Sequence, residues 1–233
     1  MRLKFLVLLA IVTVTCWVGV AAADIVYYDI SVPNSAISGY PGPYEKVEVD
    51  LTTSTTAIIT FTSYKEGGNI YLMGDGSSAA VNVNATSWSV SNISGSNGGS
   101  GFTPGTFSNA GSGNVDGFGT FNQCIDDFDG FTHSVDTLSF TLTRTSGTWL
   151  SAANVLTANG HPGPDNTSGY YAAAHVYVTS APAKACNGAI VTGYAGGDNL
   201  PYTGAVPIPP TALLLGTGLL GLVGLGWRRG RAG

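Results

Sequence analysis

A strict period of two constrains this chain more than any other feature. In Asp136–Thr145, Leu138, Phe140 and Leu142 fall on one side. Thr137, Ser139, Thr141, Thr143 and Thr145 fall on the other, and Arg144 breaks phase near the end. Successive side chains of a strand point to opposite faces, so this run sets an apolar face on a core and a hydroxyl face toward water. Less regular strand-like runs, apolar or β-branched, cover 25–30, 46–51, 57–62, 69–73, 80–83, 87–93, 170–179 and 189–194. Clusters of Gly, Asn, Asp and Ser lie between them, and Gly95–Gly101 and Gly111–Gly119 read as loops. With 33 glycines and 11 prolines the chain is no helical bundle. The expected fold is all-β, a jelly-roll-like β-sandwich with Trp88, Trp149 and the phenylalanines in its core. No internal repeat is evident, so a propeller or solenoid is not expected.

The two ends read differently from this middle. Arg2 and Lys4 precede an apolar stretch, Phe5–Val20, and the small residues Ala21–Ala23. That order is a secretory signal peptide over 1–23, cleaved before Asp24. At the other end Ala212–Trp227 carries no charge and runs into Arg228, Arg229 and Arg231. Sixteen helical residues span about 24 Å, and Pro210 and Thr211 extend them toward the roughly 30 Å of a hydrocarbon core. The expectation is a transmembrane helix over 211–227, its arginines cytoplasmic and Trp227 at the interface. The precursor is then tethered to the inner membrane with the middle of the chain outside it.

The tail also carries a motif. Val206-Pro207-Ile208-Pro209-Pro210, the Gly- and Leu-rich helix and the basic end together resemble a PEP-CTERM sorting signal. The form is the variant with a V-P-x-P core in place of Pro-Glu-Pro. The resemblance covers 206–233 and implies export by the Sec machinery, then recognition by an exosortase, a membrane cysteine protease or transpeptidase of Gram-negative bacteria. It further implies release to, or attachment at, the cell surface, often alongside exopolysaccharide. A rival signal lies just upstream. Leu200-Pro201-Tyr202-Thr203-Gly204 fits the L-P-x-T-G pattern of sortase substrates. The exosortase reading takes in the whole tail and is preferred.

The exported body is therefore 24–205. It holds all fourteen Asp and Glu but only Lys46, Lys65, Arg144 and Lys184 of the nine basic residues. Fourteen negative against four positive charges give −10, where the whole chain shows −5. Such a body does not bind nucleic acid, and it binds anionic polysaccharide only through a bridging cation. Cys124 and Cys186 are the two cysteines of the body, and an oxidising compartment favours a disulfide between them. It would close a loop of roughly sixty residues and stabilise by about 4 kcal/mol.

Candidates for chemistry are few. Asp126, Asp127 and Asp129, with Asp116 in the preceding loop, present oxygens in a Gly-bounded turn that could hold Ca²⁺. No EF-hand spacing accompanies them, and a solvated turn is the plainer reading; no other cofactor is expected. Asp75 between Gly74 and Gly76 reads as a turn. His133, His161 and His175 stand without a nucleophile elbow or a zinc motif. Glu45 and Glu48 flank Val47, and Glu66 sits in a turn. No enzyme is expected. The threonines of 137–145 could line a sugar site or order water as on an ice-binding face, and Tyr27, Tyr28, Tyr170 and Tyr171 could stack on sugars. The reading is thus a structural or adhesive surface or matrix protein. A carbohydrate- or ice-binding module and a secreted hydrolase stand as alternatives.

Overall fold

The computed structural model describes residues 24–97, 105–128, 133–180 and 189–204. The leader, the 206–233 tail, Asp129 and Cys186 lie outside them. In order come β1 (Asp24–Ile30), β2 (Val32–Pro33), β3 (Glu45–Thr53), β4 (Thr56–Ser63), β5 (Lys65–Glu66), β6 (Asn69–Met73) and β7 (Asp75–Val81). Next come β8 (Trp88–Ser96), β9 (Ser108–Val115), β10 (Gly119–Asp127), β11 (Thr137–Arg144), a short 3-10 turn (Ala152–Asn154), β12 (Ala172–Ser180) and β13 (Ala189–Gly197). Two antiparallel sheets result. Sheet A has the order β1-β3-β4-β11-β8, and sheet B the order β2-β13-β12-β7-β10-β9 with β6 beside β12 and β5 beside β6. The body ends at Tyr202, and residues from Thr203 belong to a separate unit. No helix among the described residues is long and apolar enough to cross a membrane.

The sheets face each other across one core. Sheet A contributes Val26, Tyr28, Ile30, Val47, Val49, Ile59, Phe61, Leu138, Phe140 and Leu142. Met73, Val81, Ile125, Ala174, Val176 and Val178 of sheet B meet them. Each fully buried Leu or Phe stabilises by about 1.5–3 kcal/mol. Trp149 plugs the core and its indole N–H donates to the Asn84 carbonyl at 2.9 Å. Trp88 is only partly buried, and its Nε1 donates to Gln123 Oε1 at 3.0 Å.

The two sheets differ in how they are covered. Sheet A alternates cleanly, buried then half-exposed, in β1, β3 and β11. Sheet B carries a second apolar layer on its outer face, where Val115, Phe118, Phe121, Cys124 and Tyr170 pack on Ala80 and Ala173. β12 is therefore buried on both faces from Ala172 to Thr179.

Three expectations need correcting. The 111–119 segment is not all loop, because β9 runs through Gly111 and Gly113 and pairs with β10. Small residues are needed there: a Cβ on Gly113 would stand 2.9 Å from the Cys124 Sγ. Gly95 and Ser96 likewise complete β8. Asp126 and Asp127 close strand β10 and do not form a turn.

Candidate functional site

The outer face of sheet A is built by register. β8, β11 and β4 lie side by side, and their outward residues form four ranks. Ser96, Thr137 and Thr62 make the first, and Ser94, Ser139 and Thr60 the second. Ser91, Thr141 and Ile58 make the third, and Ser89, Thr143 and Thr56 the fourth. Ile58 is the one position of the twelve that is not Ser or Thr. Strands stand about 4.8 Å apart, and same-face residues repeat about every 6.8 Å along a strand. The hydroxyls thus sit on a two-dimensional grid. None of the twelve is buried, and the four β8 serines are exposed.

Two features keep the grid in order. A bulge on β8 opposes Ser91 and Ser94, three residues apart, to Thr141 and Ser139, two apart. Asn92 takes a left-handed conformation there, φ 52°, and its amide donates to Thr141 Oγ1 at 3.3 Å. The extra residue returns the serines to the outer face. Between β4 and β11, Thr60 and Ser139 share a 3.2 Å hydroxyl contact. Each hydroxyl can donate once and accept twice, so the grid can exchange hydrogen bonds with another polyhydroxylated surface.

The grid stops at β3. Lys46, Glu48 and Asp50 continue the first three ranks, followed by Asp29, Tyr27 and Ile25 on β1. Tyr27 lies under the Lys46 ammonium, 4.8 Å from its ring centroid. Of the four tyrosines proposed for stacking, Tyr28 and Tyr170 are buried and Tyr171 packs on Tyr28 at 5.1 Å.

Among the described residues, Asp116, Asp126 and Asp127 do not gather as a cage. Asp126 Oδ1 accepts the Ser77 N–H at 2.6 Å, and burial raises its carboxyl against the pull of that bond. Asp116 Oδ2 accepts from Asn34 at 3.2 Å. Asp127 packs against Gly105, where any side chain would run into its carboxylate. Among the described residues no three of His, Cys, Asp and Glu come together to hold a metal ion. Asp75, expected as a turn, opens β7 at φ 59° and stands opposite Asp127. Tyr194 is raised by burial and by the charges of Asp75, Asp116 and Asp126.

The other titratable groups are held by packing. His175 stacks on Tyr194, centroids 4.1 Å apart, with Nδ1 3.1 Å from the Gly76 carbonyl oxygen. Burial lowers its pKa, opposed by Asp75 and by that carbonyl. His161 sits by Tyr170 in the loop before β12. Glu45 and Glu48 lie in opposite phases of β3, the first buried and the second outward, so they cannot act as facing carboxylates. Among the described residues Cys124 has no disulfide partner; it is a buried thiol pushed up to about 11 by burial. Its expected partner, Cys186, lies outside the described residues.

The sorting motif and basic tail, Val206–Pro210 and Arg228–Arg231, also lie outside them. The Leu200–Gly204 segment is described. Leu200 is exposed, and Tyr202 pairs with Tyr27 as an isolated antiparallel bridge. Comparison of the chain with families of known proteins, with curated proteins and with solved structures finds no match.

Proposed function

We propose that this is an exported surface or extracellular-matrix protein of Gram-negative type, sorted by an exosortase through its 206–233 tail. Its jelly-roll-like body has a structural and adhesive role in the envelope or the exopolysaccharide. The body works by surface contact and does no chemistry, and the hydroxyl grid of sheet A is the contacting face. One observation carries this reading: eleven Ser and Thr side chains stand in register across β8, β11 and β4, with no charge among them. An ordinary solvated face would carry Lys, Glu and Asp at a share of these positions. The body around it is strongly acidic, so the grid suits a neutral, hydroxyl-rich glycan and not an anionic one.

Affinity electrophoresis through gels cast with neutral or anionic polysaccharide tests the reading. Retardation is expected in neutral gels and should vanish in Ser139→Arg/Thr141→Arg, which adds bulk and charge at the centre of the grid. Retardation relative to a gel without polysaccharide that is the same for both proteins in every gel would sink it. Mass spectrometry of the mature protein tests the sorting. A C-terminus within Val206–Pro210 supports the exosortase, and an intact Arg229 and Arg231 refutes it.

A further inference from the structure

The Leu200–Gly204 pentapeptide does not lie free at its centre. β1 is the edge strand of sheet A, and on the side away from β3 its backbone meets Tyr202. The Tyr27 N–H donates to the Tyr202 carbonyl at 2.8 Å, and the Tyr202 N–H donates to the Tyr27 carbonyl at 3.0 Å. The two rings lie 5.8 Å apart. The Tyr202 hydroxyl donates to Asp29 Oδ1 at 3.0 Å, an oxygen that also accepts from the Tyr64 hydroxyl at 3.2 Å. Tyr202 is thus held through both backbone groups and its side-chain tip.

We propose that this pairing closes Leu200–Gly204 to sortase-type cysteine transpeptidases, so that in the folded protein the sequence serves as an edge latch and not as a cleavage site. An enzyme that reads an extended peptide binds it through the peptide's own N–H and C=O groups. Those of Tyr202 are already taken by Tyr27. The reaction requires an enzyme thiolate to attack the Thr203 carbonyl carbon. The Thr203–Gly204 C–N bond breaks, the Gly204 amine leaves with a proton from the enzyme's acid, and a thioester remains. An added amine then attacks the thioester, gives up a proton and restores the thiolate. None of this begins until Tyr202 peels from β1. Three hydrogen bonds of ordinary net strength hold the closed form roughly a hundredfold over the open one. The latch also satisfies an edge strand that would otherwise offer its backbone to a neighbouring chain.

The proposal takes its setting from the export reading, but its test does not depend on export or on the tail. The purified full chain is incubated with a soluble sortase that recognises L-P-x-T-G and with fluorescent triglycine as the amine. A free peptide covering 199–205 serves as the reference. The folded wild type should label about a hundredfold more slowly than the peptide. Tyr202→Ala keeps the recognition pattern, since the third position is free, and keeps both backbone bonds; by losing the hydroxyl bond and the ring contact it should recover about a tenth of the peptide's rate. Asp29→Ala removes only the hydroxyl's acceptor, one bond of the three, and should recover about a twentieth of it. Circular dichroism identifies any variant that has unfolded. Hydrogen exchange of the wild type gives a second reading, with the Tyr27 and Tyr202 amides protected by a similar hundredfold. Labelling of the folded wild type at the peptide's rate overturns the proposal. So do unprotected Tyr27 and Tyr202 amides, or a folded Tyr202→Ala that stays as slow as the wild type.

Discussion

Glu45 occupies the inward phase of β3, in line with Val47 and Val49, and is fully buried. Neither of its carboxyl oxygens has a hydrogen-bond partner among the described residues. Burial therefore pushes its pKa well above the usual carboxylate range and favours the protonated form. The sign of the effect on stability follows from proton counts. At low pH the folded and unfolded chains both hold the proton, and nothing is lost. Above about pH 4.3 the unfolded chain releases it while the folded chain keeps it. In that window stability falls as pH rises, by about 1.4 kcal/mol per pH unit, until the folded carboxyl ionises as well.

Glu45→Gln keeps the shape and cannot ionise, so it isolates the proton. The difference in unfolding free energy between variant and wild type should be flat below pH 4. Above that it should grow in the variant's favour by about 1.4 kcal/mol per unit, or about 2.8 kcal/mol over two units. The pH at which the difference levels off reads the folded pKa directly, and the protein's other carboxylates cancel in the subtraction. Glu45→Leu also removes an unpartnered polar group, whose burial costs about 1–3 kcal/mol, and should be the more stable of the two. Urea unfolding between pH 3.5 and 8, followed by the fluorescence of buried Trp149, measures all three proteins. Parallel profiles for wild type and Glu45→Gln would mean that the carboxylate is ionised and partnered in the core, and the reasoning would fail.

Sheet A's two faces should respond in opposite ways. Phe140→Ala, in the core beside Phe61 at a ring separation of 6.4 Å, should cost about 3–5 kcal/mol in urea unfolding, and outward Thr143→Ala should stay within about 0.5 kcal/mol. Cys124, pushed up to about 11 by burial, should resist a disulfide reagent at pH 8 in the native protein and react under non-reducing conditions once unfolded. No reactive thiol at Cys124 after unfolding would mean that it is oxidised.

The chain reveals some elements and hides others for a physical reason. β11 was legible because one of its faces meets the core and the other meets water, which leaves a period of two in the residues themselves. β12 is covered on both faces, so its alanines and valines carry no alternation, and its ends could be placed only by composition. β9 and β10 escaped. β9 spells Ser-Asn-Ala-Gly-Ser-Gly-Asn, with Gly113 set over the Cys124 side chain and Gly111 at a positive φ, and the same letters spell a loop elsewhere. β10 buries Gln123 through bonds to Asn109 and Trp88, so a polar residue stands where an apolar one marks a strand. Of the hydroxyl grid, only the β11 column was visible. Its neighbours Thr56, Thr60 and Thr62 and the β8 serines join it through strand register, which no local pattern carries.

The bulge at Asn92 separates what the core demands from what it leaves free. Val90 and Ile93 both pack toward the core although three residues apart, an odd spacing that a regular strand cannot satisfy. The extra residue satisfies it, and thereby fixes 89, 91, 94 and 96 as outward positions. Packing asks nothing more of those four; any soluble side chain would serve. All four are serine, and the columns they join on β11 and β4 are Ser or Thr at every place but Ile58. The charges that an outer face normally bears appear one strand further on, at Lys46, Glu48 and Asp50. Strand propensity favours threonine at such places, but neither it nor the core accounts for the absence of charge over three adjacent strands. The proposed contact with a neutral polyhydroxylated surface would account for both the grid's composition and its boundary at β3.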